Sequence, residues 1–178
     1  MGVKQINITL EGISPLLMHA FPLVQVEALE KKSPTEQAEL AAYRDPDTNG
    51  LYIPGINVQR ALVSAAAYSK GKGRASLQKQ AAACLSISPE RLSLNGAGYT
   101  VDSRPVVVPA TKGRVMRHRP RFEHWTIEFA LDYDDALIKE SELRRIVDDM
   151  GSRVGLLDFR PERKGPFGRC MVTRWERG

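Results

Sequence analysis

The residues best suited to chemistry lie between Val154 and Arg169, where cations and glycines share one short stretch. Arg160, Arg163, Lys164 and Arg169 supply cationic donors. Gly165 and Gly168 supply backbone freedom, which lets a main chain approach a ligand closely. Together they suit the binding of phosphate groups. Two further runs hold cations without acids: Lys70, Lys72, Arg74 and Lys79 in one, Lys112, Arg114, Arg117, Arg119 and Arg121 in the other. Acids collect instead in Glu27–Asp47 and Glu128–Asp149. If the three basic loops converge, the molecule has two faces and one of them fits a polyanion; otherwise they are separate solvated loops.

The three histidines, His19, His118 and His124, have no paired partner in sequence, and no carboxylates stand at metal-ligand spacing. His19 could act as a base, but no nucleophile stands beside it, so a structural role is favoured. No residue is assigned as catalytic and no metal or cofactor is expected. Cys84 and Cys170 lie far apart with no CxxC spacing, which gives neither a disulfide framework nor a zinc site and fits a reducing, cytoplasmic setting. No apolar run approaches membrane-spanning length, and no membrane partner is expected. The length of 178 residues, with 42% hydrophobic and 26% charged residues and a net charge of +5, is ordinary for one soluble domain, 1–178.

The elements that must position these groups follow from periodicity. Val3–Leu10 alternates, with Ile6, Ile8 and Leu10 on one face and Gln5, Asn7 and Thr9 on the other, which predicts a half-buried strand. Ser33-Pro34-Thr35-Glu36 predicts a capped helix start. Asn57 is expected to cap a helix running to about Ser69, with Val58, Ala61, Leu62, Ala65 and Ala66 on its apolar face. Ala75–Leu85 reads as another short helix. Ile87, Leu92 and Leu94 suggest brief strands, Asn95-Gly96 a hairpin turn, and Pro105–Pro109 a further strand. Trp125–Tyr133 is the clearest strand, with Trp125, Ile127, Phe129, Leu131 and Tyr133 on its apolar face. Glu140–Met150 is an amphipathic helix ended by Gly151, and Cys170–Trp175 is a final strand. The order strand, helix, strand, strand, helix, strand predicts an α+β, ferredoxin-like or RRM-type antiparallel sheet with helices on one face, plus insertions at about 21–50 and 70–121.

Three stretches in this order, Gly12-Ile13-Ser14-Pro15-Leu16, Tyr52-Ile53-Pro54-Gly55 and Gly165-Pro166-Phe167-Gly168-Arg169, together resemble the RAMP superfamily, especially the RNA-binding backbone subunits of CRISPR effector complexes. The match covers both ends and the Ile-Pro-Gly centre. The resemblance implies an RRM-like fold that binds single-stranded RNA, often polymerises along it, and joins other effector subunits.

An ordinary RRM stacks bases on sheet aromatics, but here the face opposite the apolar one carries Glu128 and Asp132. Binding is therefore assigned to a groove between the Gly165–Arg169 loop, the helix start after Gly55 and the Lys112–Arg121 arm. Its candidate residues are Gly55, Asn57, Arg60, Lys70, Lys72, Arg74, Lys112, Arg114, Arg117, His118, Arg119, Arg121, Arg163, Lys164, Gly165, Phe167, Gly168 and Arg169. His118, Phe122, Phe159 and Phe167 are the rings that could stack on bases, with core packing the alternative for Phe167. The expected ligand is single-stranded RNA ahead of single-stranded DNA, held without catalysis by a subunit that self-associates into a filament or ring. Two other readings stand beside it: a RAMP-like, metal-independent endoribonuclease, and a structural assembly subunit using its basic face on an acidic protein partner.

Overall fold

The alternating residues of Val3–Gly12 form an inner strand of the main sheet, β1. The computed structural model of the protein describes residues 2–71, 73 and 75–178. β1 pairs antiparallel with Thr126–Asp134 (β8) on one side and Cys170–Arg177 (β9) on the other. Ser86–Ser88 (β4) pairs with the outer edge of β8, so the sheet runs β4-β8-β1-β9. Two helices alternate with these strands in the chain, Gly55–Ala65 (α3) and Glu140–Asp149 (α5). This is the α+β, ferredoxin-like arrangement of an antiparallel sheet.

One core explains why the helices lie where they do. Ile6, Ile8 and Leu10 of β1 and Ile127, Phe129, Leu131 and Tyr133 of β8 turn inward onto Val58, Ala61, Leu62 and Ala65 of α3 and Leu143, Ile146 and Val147 of α5. Burying each large side chain contributes roughly 1.5–3 kcal/mol. Ala61 and Ala65 are small enough to bring the α3 backbone close to its neighbours. The opposite face of the sheet carries Gln5, Asn7 and Thr9 against Asp132, Ala130 and Glu128.

The segments between core strands build smaller layers. Leu16–Leu17 (β2), Thr100–Val107 (β6) and Arg114–Phe122 (β7) form a three-stranded sheet in the order β2-β7-β6. Tyr52–Pro54 (β3) pairs with Arg91–Ser93 (β5). Three short α-helices, Val26–Glu30 (α1), Pro34–Leu40 (α2) and Gln78–Cys84 (α4), lie among them, with 3-10 turns at Ala66–Tyr68 and Pro161–Arg163 and a π-helical turn at Met150–Val154. The α2 start has the predicted capping box: Glu36 N donates to Ser33 Oγ at 3.3 Å, and Ser33 N donates to the Glu36 carboxylate at 2.9 Å.

Three expectations are corrected. The Lys112–Arg121 arm is mostly β-strand rather than loop, because each residue from Arg114 to Arg121 has a partner in β6. Asn95-Gly96 turns with φ of 52° and 77°, but it joins strands of different sheets, so it closes no hairpin. α3 begins at Gly55, which puts Asn57 inside the helix, where it caps nothing.

Candidate nucleic-acid interface

The loop between α5 and β9 is held mainly by its own backbone. Leu156 N donates to Gly168 O at 3.0 Å, Gly165 N to Arg160 O at 3.0 Å and Phe167 N to Phe159 O at 3.1 Å. A Cβ at Gly165 would lie 1.8 Å from Phe159 O, and one at Gly168, where φ is +76°, would lie 2.0 Å from Leu156 O. The two glycines are therefore needed for packing within the loop. Their amides are also taken, by Arg160 O and Pro15 O, so the two N–H groups expected to face a ligand face the fold instead. Leu157, Phe159 and Lys164 also adopt positive φ, a concentration of left-handed backbone in one turn.

Two of the stretches that carried the family resemblance are bonded to each other. Gly168 N donates to Pro15 O at 2.8 Å, Ile13 N to Arg169 O at 2.8 Å, and Arg169 N to Ser14 Oγ at 3.0 Å. Beneath them Trp125 Nε1 donates to Ser14 O, and its indole occupies the space a Cβ at Gly12 would need. The pattern legible in sequence is thus a structural seam that fixes the loop to the end of β1.

On the other side the loop meets the base of the β6–β7 hairpin. The Phe167 ring is buried and lies 6.0 Å from the Phe159 ring, with the Arg104 and Arg121 guanidinium groups 4.9 and 5.5 Å from its centroid. Phe167 is buried among Phe159, Arg104 and Arg121, outside the main hydrophobic cluster, and is closed to a base; Phe122 is fully buried within that cluster. Of the expected rings, Phe159 stays accessible, while His118 is half-buried with Nδ1 2.7 Å from Ser103 Oγ. Arg119 is corrected too: its side chain is 7% exposed and is ion-paired with Asp158, so it holds the fold and is not free for phosphate. Arg121 pairs with Glu123 at 2.6 Å and lies 3.7 Å from Asp102.

At the start of α3, Gly55 N donates to Glu90 O at 2.7 Å, so this amide is already used and Gly55 is buried. Lys70 lies beyond the far end of the helix, which spans about 1.5 Å per residue, away from Gly55. Lys72 and Arg74 lie outside the described residues. Arg60, Lys112, Arg114, Arg163, Lys164 and Arg169 are exposed and Arg117 is half-exposed. None of these seven is among the carboxylate ion pairs of the described residues. Asn57 and Arg60 share a cleft with the loop, and the loop in turn packs on the hairpin. The loop is thus the part that touches both others, α3 through Asn57 and Arg60 and the hairpin through Phe167, contacts that sequence alone does not reveal.

The cleft has a volume of about 320 Å³ and is lined by Asn57, Arg60 and Ser64 of α3, Asp158 and Arg160 of the loop, and His19 and Tyr43. His19 is carried there by β2, since Met18 N donates to Pro120 O at 2.9 Å and Asp158 N donates to Leu17 O at 3.0 Å. His19 Nδ1 lies 3.6 Å from Asp158 Oδ2, the oxygen that also takes the Arg119 guanidinium. Burial alone would raise the Asp158 pKa, but the His19 imidazole and the Arg119 charge outweigh it and hold the carboxyl at about 2. Asp158 is thus ionised at neutral pH and stands within ion-pair distance of His19. Asp158, Ser64 and Tyr43 carried no signal in the sequence beyond their types, because their partners are distant in the chain. Among the described residues no group of three or more His, Cys, Asp or Glu side chains could hold a metal ion, and no helix is long and apolar enough to cross a membrane.

The sheet defines the class first: an α+β, ferredoxin-like fold of the RRM type whose open face lacks aromatic residues. A chain of the cryo-EM structure of the type III-B Cmr-beta bound to cognate target RNA has a similar fold, with a TM-score of 0.61 and 11% identity. The match covers 98% of the present chain and 60% of that chain, so the present chain spans less than two thirds of its length. No protein-family model matches the chain, and no curated protein matches it by sequence.

Proposed function

We propose that the chain binds single-stranded RNA, without cutting it, as a RAMP-like subunit of a CRISPR-related assembly. The observation that carries this reading is where the unpaired cations sit. Arg60, Arg117, Arg163, Lys164 and Arg169 belong to α3, the hairpin and the loop, and the loop touches each of the other two. The open sheet face instead carries an exposed Glu128 and a half-buried Asp132, which repel phosphate, and its Arg174 is already paired with Glu176. A strand therefore follows the basic seam, with Phe159 as the ring available for stacking. The similar fold of a chain in an RNA-bound complex supports the same ligand class. Acidic segments on one copy facing the basic seam of the next would give a repeating, head-to-tail contact.

The test is binding of labelled single-stranded RNA, single-stranded DNA and duplex across a salt series, with particle mass measured alongside. Tightest binding to the RNA strand, weakening steeply with salt and accompanied by growth in mass, is expected. Salt-insensitive binding, or none at low salt, would overturn the proposal.

A further inference from the structure

We propose that the cleft between α3 and the loop reads the sugar of one nucleotide, so that it is a ribose-specific pocket. The inference rests on the RNA-binding reading and names the site that distinguishes RNA from DNA. Asp158 lies on the Nδ1 side of His19, 3.6 Å from it, and is ion-paired with the Arg119 guanidinium. A carboxylate there favours the tautomer with the proton on Nδ1. Nε2, on the far side of the ring, is then an acceptor without a proton in the neutral imidazole. A ribose 2′-hydroxyl is a donor of matching chemistry, and deoxyribose has none.

The rest of the cleft fits the sugar's neighbours. Arg60 is exposed, is unpaired among the described residues, and lines the same cleft, so it can take the adjoining phosphate. Arg160 is not equivalent, because Glu162 already holds it at 2.8 Å. Asn57 and Ser64, on the wall formed by α3, add neutral donors and acceptors.

The experiment compares wild type, His19→Ala and Arg60→Ala for binding RNA and DNA strands of one sequence, and an RNA strand with 2′-fluoro sugars. Loss of one hydrogen bond should lower RNA affinity by about fivefold to tenfold in His19→Ala. DNA affinity should fall by less, so the RNA preference narrows. The 2′-fluoro strand, which has no donor, should already bind wild type as the DNA strand does. Arg60→Ala should weaken both strands alike. An unchanged RNA-to-DNA ratio in a folded His19→Ala variant that still binds RNA would overturn the pocket and leave the RNA-binding reading standing. Absence of RNA binding by wild type would overturn both. Cutting of the RNA at a fixed site, abolished in His19→Ala, would replace sugar reading by catalysis.

Discussion

Replacing Gly168 by alanine tests how the basic loop is held. Its φ of +76° already disfavours any side chain, at a cost of about 1–2 kcal/mol. The new Cβ would also sit 2.0 Å from Leu156 O, against rigid backbone that cannot swing aside. To relieve the contact the strands of the loop must part. That weakens the bond from Leu156 N to Gly168 O and the bond from Gly168 N to Pro15 O, each contributing about 1 kcal/mol. The sum is about 3–4 kcal/mol, which for a chain of this length lowers the melting temperature by about 6–16 °C. Gly96 is the control. Its φ is +77° but nothing lies within 4 Å of its missing Cβ, so alanine there should cost only the backbone term, about 1–2 kcal/mol. Thermal unfolding followed by circular dichroism measures both variants. Equal shifts for Gly168→Ala and Gly96→Ala would refute the claim that close packing within the loop, and not merely its backbone angles, requires glycine.

Other outcomes follow from the same structure. Asp158 has a folded pKa of about 2, below its ordinary 3.8, so its contribution to stability is present above about pH 4 and lost as pH falls towards 2. With about a third of its carboxylate exposed to solvent, that contribution is on the order of 1–2 kcal/mol, and urea unfolding between pH 2 and 6 should show an acid limb that Asp158→Asn flattens. Burial pushes the Cys170 thiol up to about 12, so iodoacetamide at pH 8 should leave Cys170 unmodified until the protein is unfolded; rapid labelling of the native protein would contradict its burial.

Much of the fold is legible in the sequence because periodic patterns are local. Ile6, Ile8 and Leu10, the Ser33–Glu36 box and the Leu143–Val147 face each declare themselves within a few residues. The β7 strand does not, because Arg114, Arg117, Arg119 and Arg121 mask a pleated pattern whose meaning depends on partners in Thr100–Val107. The brief strand expected at Ile87 is found as β4, but its place at the edge of β8 is set by pairing that no local signal reports. The glycines of the loop are conspicuous in the sequence, but their purpose is not: the close approach they permit is to Phe159 O and Leu156 O rather than to a ligand. The cleft is least visible. His19 and Asp158 are brought together by β2 and the loop, and a cation such as Arg119 reads the same in sequence whether it meets phosphate or a buried carboxylate.

The central claim, that RNA follows the basic seam of the loop, is tested most directly by one variant carrying Arg163→Ala, Lys164→Ala and Arg169→Ala. All three side chains are exposed, and none is among the ion pairs of the described residues, so the melting temperature should stay close to that of wild type. RNA affinity measured against salt should fall, and the slope of log K against log salt should shrink by about 2, at about 0.7 for each phosphate no longer neutralised. A folded triple variant with unchanged affinity and unchanged slope would contradict the account.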